Sequence, residues 1–239
     1  MRLLDLTLAT PDQNLACDEA LLDWCEDGYD EDILRFWEPP TYFVVLGYTN
    51  KIDEEVNRAA CRADAVPILR RTSGGGTVLQ GPGCLNYTLI LRITEAPPLN
   101  GITETNAFIM GRHRDVLQSI LGVDVAIQGY TDLTLGGLKF SGNAQRRKRR
   151  FLLFHGTFLL DFDIPLVEKL LRLPTKQPEY RRNRAHGDFL TNLKLPSHTL
   201  KNALKEAWNA TGEPVAVPTE RIASLIQHKY ASDKWNSKF

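Results

Sequence analysis

The stretch from Arg70 to Arg92, RRTSGGGTVLQGPGCLNYTLILR, constrains this chain more than any other. Three successive glycines do not belong inside a helix, because glycine loses more backbone freedom on ordering than any other residue. They join the β-rich run VPILRR to TVLQ, and a Gly-Pro-Gly turn joins TVLQ to the alternating run NYTLILR. Period-two alternation is the pattern of a half-buried strand. Strands connected by turns this short favour an antiparallel or mixed sheet over a strict βαβ series.

The flanking segments extend that architecture. Leu4, Leu6 and Leu8 share one face of a predicted strand over Leu3–Leu8, and Thr10-Pro11-Asp12 then signals the start of a helix over Asn14–Glu26. ILRFW and YFVVLG read as strands, the second apolar throughout and so central in a sheet. A helix is predicted over Ile52–Ala65 and another over Thr103–Leu121, ending at Gly122. VDVAIQ, TDLTLGG, LKFSGNAQ and FLLFHGTFLLDFD are further β-like runs, the last two separated by the basic turn RRKRR. A short helix over Leu166–Leu173 precedes PTKQPEYRRNRAHGDF, which has no period and reads as a loop crossing the surface. Two helices close the chain, Ser197–Thr211 and Thr219–Tyr230, each opened by a residue able to cap it. With no repeat and no linker, residues 1–239 are expected to form a single α+β domain: a mixed, mostly antiparallel sheet flanked by helices.

Charge excludes several functions. Lys plus Arg and Asp plus Glu each number 29, so no whole-surface attraction to nucleic acid or anionic membrane is expected. The basic run Arg146–Arg150 has no interleaved aromatic residue and reads as a solvated turn. No apolar run approaches the ~20 residues needed to span a bilayer. MRLLDLTLATPDQNL carries Asp5 within its apolar stretch and no small-residue cleavage pattern, so a cytoplasmic protein is expected. Cys17, Cys25, Cys61 and Cys84 are scattered, as reduced buried thiols would be, and no H-E-x-x-H occurs.

Three segments carry candidate chemistry. Gly74–Gly76 with Arg70, Arg71 and Ser73 suit an anion such as phosphate or carboxylate, or else form a structural turn; the loop is neither G-x-x-x-x-G-K-[ST] nor a G-x-G-x-x-G opening a helix. Lys139, just after Gly136-Gly137, is either a solvated edge charge or a fixed ammonium facing a carboxylate or acyl phosphate, with Ser141 to Ala144 as a second tight turn against the same ligand. His155 and Thr157 share a strand face and either pack in the core or line a cleft.

Taken in order, NLACDEALL, LGYTN, RRTSGGGTVLQGPGCLN, GYTDLTLGGLKFSGNAQ and HGTFLLDFD resemble the lipoate–protein ligase branch of the biotin/lipoate ligase and octanoyltransferase family, with a weaker match at FLTNL. The blocks run from about residue 14 to 163. The resemblance implies a ligase-type catalytic domain that uses ATP and Mg²⁺ to convert lipoate or octanoate to an acyl-adenylate. The acyl group then passes to a lysine of a lipoyl domain, in a 2-oxoacid dehydrogenase complex or a glycine-cleavage carrier protein. It assigns Arg71, Gly75, Gly76, Thr77, Val78 and Leu79 to the nucleotide, Lys139 to both phosphate and carboxylate, and Asp132 to the Mg²⁺–phosphate region. Arg70, Ser73, Gly74, Gln80, Asn86, Ser141, Gly142, His155 and Thr157 are the implied substrate-binding residues.

Two departures stand out. Many family ligases read GGGAVxHD where this chain has GGGTVLQG, so Gln80 replaces a histidine and Gly81 an acid. The larger ligases also carry a C-terminal accessory domain, which would begin about where SDKWNSKF stands, so a separate accessory chain is one expectation. The rival within the family is an octanoyl or lipoyl transferase that works through a cysteine thioester without ATP. Neither position where such branches carry their cysteine holds one here; Cys84 is the conceivable substitute. A non-catalytic lipoyl-domain binder is the third reading.

Overall fold

The computed structural model describes residues 1–213 and 215–239. The first half of the chain runs β1 (Arg2–Asp5), α1 (Pro11–Glu26), β2 (Ile33–Trp37), β3 (Phe43–Leu46), α2 (Ile52–Glu55), α3 (Arg58–Ala63), β4 (Ile68–Arg70), β5 (Val78–Gln80) and β6 (Cys84–Arg92). The second half runs α4 (Ile102–Leu121), β7 (Ala126–Gln128), β8 (Asp132–Leu135), β9 (Leu138–Arg147), β10 (Phe151–Leu159), α5 (Ile164–Leu170), α6 (His186–Phe189), α7 (Ser197–Ala207), α8 (Thr219–Leu225) and α9 (Asp233–Asn236). A 3₁₀ turn spans Glu179–Arg181, and α8 continues as a π-helical turn over Ile226–Tyr230.

Seven strands form one sheet in the order β1-β2-β6-β10-β9-β8-β7, and three form a second in the order β4-β3-β5. Among the strands of the described residues only β1–β2 and β3–β4 pair parallel and the other strand pairings are antiparallel. The apolar run at β3 is central, as its composition predicts, because it is buried on both faces of the smaller sheet. α4 and α7 cover one face of the large sheet through Phe36, Leu89, Ile109, Phe154, Phe158 and Leu204. α1 and the C-terminal turn cover the other with Leu21, Leu22, Phe43, Ile90, Leu153 and Tyr230. All four cysteines are free and buried, as expected.

Several local expectations need correction. The helix predicted over Ile52–Ala65 breaks at Val56, which is extended (φ −123°, ψ 137°) and bridges to Leu171. Asn57 then caps α3 by accepting the Ala60 N–H at 3.3 Å. Ser197 and Thr219 occupy the first helical positions behind Pro196 and Pro218 and make no side-chain cap. Ser141–Ala144 is no turn but the middle of β9, paired residue by residue with Phe158 to His155. The basic turn is not simply solvated: Lys148 pairs with Asp23 at 2.6 Å, Arg150 with Asp30 at 2.7 Å, and Arg147 donates to the Leu99 carbonyl at 2.8 Å.

Candidate functional site

A cavity of about 440 Å³ opens where β9 and β10 of the large sheet face β5 and the glycine loop of the small one. Strand alternation decides what reaches it. On β10, Phe154 and Phe158 point into the core, so His155 and Thr157 point to the cavity. On β9, Lys139 and Ser141 line it, together with Gly142, which passes directly beneath the Lys139 side chain. A Cβ on Gly142 would stand 2.8 Å from Lys139 Nζ.

The glycine loop is built from within by Arg71. Its guanidinium donates to the carbonyls of Gly74 (2.5 Å) and Gly76 (2.8 Å), and its Nε donates to Ser73 Oγ at 3.1 Å. Burial pulls the guanidinium down to about 10. Gly75 holds φ +89°, which a side chain would strain, and its Cβ would meet Arg71 Nη2 at 2.9 Å. Ser73 Oγ lies 2.6 Å from His155 Nε2, and His155 Nδ1 lies 3.3 Å from Asp18 Oδ2. Burial pushes the Asp18 carboxyl up, but the charge of Arg35 and the hydrogen bonds from His155 and Arg35 outweigh it and hold it below the usual range. In the neutral imidazole an ionised Asp18 takes the proton on Nδ1, which leaves Nε2 to accept from Ser73. The order is that of a Ser-His-Asp triad, yet Ser73 is 1% exposed, is not on the cavity wall and already accepts from Arg71. The chain anchors the loop rather than presenting a nucleophile.

Lys139 pairs with Asp132 at 2.8 Å, and Tyr180 donates to the other oxygen of Asp132 at 2.7 Å. Across the cavity, Gln80 donates to Thr157 (3.0 Å), Thr157 to Asn86 (2.5 Å) and Asn86 to Gln80 (3.3 Å). This closed ring gives Gln80 the place expected for a family histidine without a titratable proton.

A family model described as the lipoyl protein ligase A/B catalytic domain matches residues 10–207. This chain belongs to that family. Octanoyltransferase LipM of Geobacillus kaustophilus is 28% identical, across 99% of this chain and 98% of the relative. The bi-partite lipoate protein ligase from Thermoplasma acidophilum superposes with a TM-score of 0.82 at 23% identity, covering 99% of this chain and 95% of that one. Lipoate-protein ligase A bound with ATP gives 0.82 at 24%, covering 99% and 98%. The two structures show the fold, that of a lipoate ligase catalytic domain.

Within that family domain, the cavity brings together Arg71, Gly75 through Gln80, Asn86, Asp132, Lys139, Ser141, Gly142, His155 and Thr157. It does not include Arg70, Ser73 or Gly74. Arg70 is fully buried behind the loop, where Nη1 donates to the carbonyls of Gly47, Tyr48 and Asn50 and Nε and Nη2 to those of Trp235 and Asn236. Gly74 is exposed outside. The segment expected to cross the surface, 174–189, instead forms one wall: Arg181, His186 and Phe189 are buried along the cavity. Its signal was a run mixing Arg, Tyr and His with almost no aliphatic residue. No group of three His, Cys, Asp or Glu among the described residues is placed to hold a metal ion.

Proposed function

We propose that this chain is an ATP-dependent lipoate–protein ligase of the cytoplasm, activating lipoate or octanoate as an acyl-adenylate and transferring it to a lysine of a lipoyl domain. One observation supports this most: Lys139 lies on a cavity wall to which none of the four cysteines contributes. Cys84, the conceivable substitute, is buried and its thiol pushed up to about 12 by desolvation, whereas thioester chemistry needs an accessible thiolate. Activation as a mixed anhydride needs no enzyme thiol.

In the first step a carboxylate oxygen bonds to the α-phosphorus of ATP as the bond to pyrophosphate breaks. Lys139, released from Asp132, neutralises charge between the carboxylate and that phosphate. Gly75, Gly76, Thr77, Val78 and Leu79, held in shape by Arg71, wrap the nucleotide. Leu159, Phe162 and Val167 supply an apolar wall for the acyl chain. In the second step the acceptor lysine attacks the acyl carbonyl and AMP leaves. A magnesium ion carried on nucleotide phosphates typically takes only one or two protein carboxylates. Asp132 fits that limited demand, and such an ion would supply charge neutralisation of the phosphates.

A second reading is favoured by the likeness to a LipM octanoyltransferase: acyl transfer from a carrier-protein thioester, without ATP. Incubating the protein with ATP, Mg²⁺, octanoate or lipoate and an apo lipoyl domain, then weighing the domain, tests both. A mass gain is expected in that tube. Gain only with octanoyl-carrier protein and no ATP makes the chain a transferase, and gain in neither makes it a non-catalytic binder.

A further inference from the structure

We infer that Glu19 is a positioning residue for the glycine loop, holding the stem of that loop at Thr72 onto β9. The inference rests on acyl activation or transfer as the cavity's function, since it names what sets the loop against the strand that carries Lys139. Glu19 stands on α1 next to Asp18, is 4% exposed and is not on the cavity wall. The two neighbouring carboxylates divide the loop between them. Asp18 reaches Ser73 through His155, and Glu19 reaches Thr72 directly.

Both polar groups of Thr72 converge on this carboxylate. The Thr72 hydroxyl donates to Glu19 Oε1 at 3.2 Å. Its carbonyl accepts from Arg146 Nη1 at 3.2 Å, and the same nitrogen lies 3.5 Å from Glu19 Oε1. Arg146 belongs to β9, and the loop meets β9 two residues earlier, where a Cβ on Gly75 would stand 3.5 Å from that of Ala144. From the opposite side the π-helical turn completes the carboxylate. Lys229 Nζ donates to both oxygens at 2.7 Å, and the Tyr230 hydroxyl donates to Oε2 at 2.8 Å. Burial pushes the Glu19 carboxyl up, but Lys229, Tyr230 and Arg146 outweigh it and hold it below the usual range.

A buried ion pair typically adds little net stability over well-packed apolar residues of the same volume. What the shared carboxylate adds is geometry: α1, the loop stem, β9 and the π-helical turn meet at one charged point. Thr72 lies between Arg71, which shapes the loop from within, and Ser73, which ends on His155. Its tether therefore fixes where that shaped loop sits on β9. A displacement of about 1 Å in a positioning element can cost up to a hundredfold in turnover, so a residue outside the cavity can act on what the cavity binds.

Two isosteric variants of the whole chain test this: Thr72→Val removes the hydroxyl, and Glu19→Gln removes the charge. Hydrogen exchange followed by NMR reads the loop stem through the Tyr48 amide, which donates to the Ser73 carbonyl at 2.9 Å, and requires no turnover. Steady-state kinetics use whichever donor gives the lipoyl domain a mass gain, ATP with octanoate or octanoyl-carrier protein. Each variant should exchange the Tyr48 amide about tenfold faster while β6 and β10 keep their protection. Each should also raise the KM for ATP, or for the octanoyl-carrier protein, by about tenfold, with kcat within about threefold. Thr72→Ser should stay near wild type in both readouts, and Glu19→Gln combined with Thr72→Val should be no worse than Glu19→Gln alone. Unchanged exchange and KM in Thr72→Val, additive losses in the double variant, or faster exchange throughout β6 and β10 overturns the proposal. Should Glu19→Gln fail to fold, Thr72→Val and Thr72→Ser decide. A lipoyl domain that gains no mass from either donor sinks the proposed function, and the exchange readout still decides the role of Glu19.

Discussion

Gly142 has no room for a side chain except at the cost of Lys139. An added Cβ meets the Lys139 Nζ and Cε at 2.8 and 2.9 Å, the mobile end of a long side chain, so the lysine yields and the backbone does not. Gly142→Ala should therefore keep its melting temperature within a few degrees and lose activity, by roughly tenfold, through displacement of the ammonium. Lys139→Ala should go further. Losing a charge that stabilises the transition state costs ~3 kcal/mol, or about a hundredfold in acylation rate, with the circular dichroism spectrum unchanged. Near-normal activity in the alanine variant would remove Lys139 from the chemistry. Lys139 stood out in the sequence as a candidate because a glycine turn precedes it, although the second turn expected after it is the middle of β9. The pair Arg70–Arg71 was legible only as a pair. Neighbours on an extended chain point to opposite sides, so Arg71 enters the loop and Arg70 the space behind it, and composition does not distinguish them.

Elements with a clean period were readable, and the segment between α5 and α6 was not. Its order comes from guanidinium-to-carbonyl bonds at Arg181 and Arg184 and from stacking on Phe189, which leave no periodic apolar trace. The packing of α4 against α7 makes a prediction of its own. His113 is fully buried on α4, accepts the Trp208 indole N–H at 2.9 Å, and is pulled down to about 3 by burial, with Arg112 adding to the effect. Burial likewise lowers His186. Between pH 6.5 and that lower value the unfolded chain binds protons that the folded chain refuses. The stability that His113 contributes is thus complete above pH 6.5 and falls on acidification by up to about 1.4 kcal/mol per pH unit, and His186 acts in the same direction. Urea titrations from pH 7 to 4.5 should show this slope, and His113→Leu should lower it; an unchanged slope in the variant would mean that His113 protonates in the folded state.

At the scale of the molecule, all four thiols lie in the packed interior and none reaches the cavity wall. A variant with Cys17, Cys25, Cys61 and Cys84 replaced by alanine or serine should accordingly melt lower yet still acylate an apo lipoyl domain with ATP. Activity lost with the Cys84 change alone, together with an acyl adduct on Cys84, would replace the ligase reading by a thioester transferase. Strands joined by turns were legible, but where one mixed sheet was expected there are two, because β4-β3-β5 and the seven-stranded sheet share the same local pattern and differ only in long-range pairing.

Arg70 ties its strand to residues 165 and 166 positions downstream, at Trp235 and Asn236. A polypeptide emerging from the ribosome as far as β10 already holds every strand of both sheets and the Gly47, Tyr48 and Asn50 acceptors of Arg70, yet its acceptors at Trp235 and Asn236 have not been synthesised. The contacts behind the loop at Trp235 and Asn236 then close over a long separation in sequence, which makes them slow to form. Arg70→Met, which leaves the carbonyls it binds without their donor, should lower stability by ~3 kcal/mol or more. It should also leave the loop amides open to hydrogen exchange while the strands of the large sheet stay protected. Vectorial synthesis thus delays completion, since a partly made chain can hold every strand and still lack the C-terminal backing of its glycine loop.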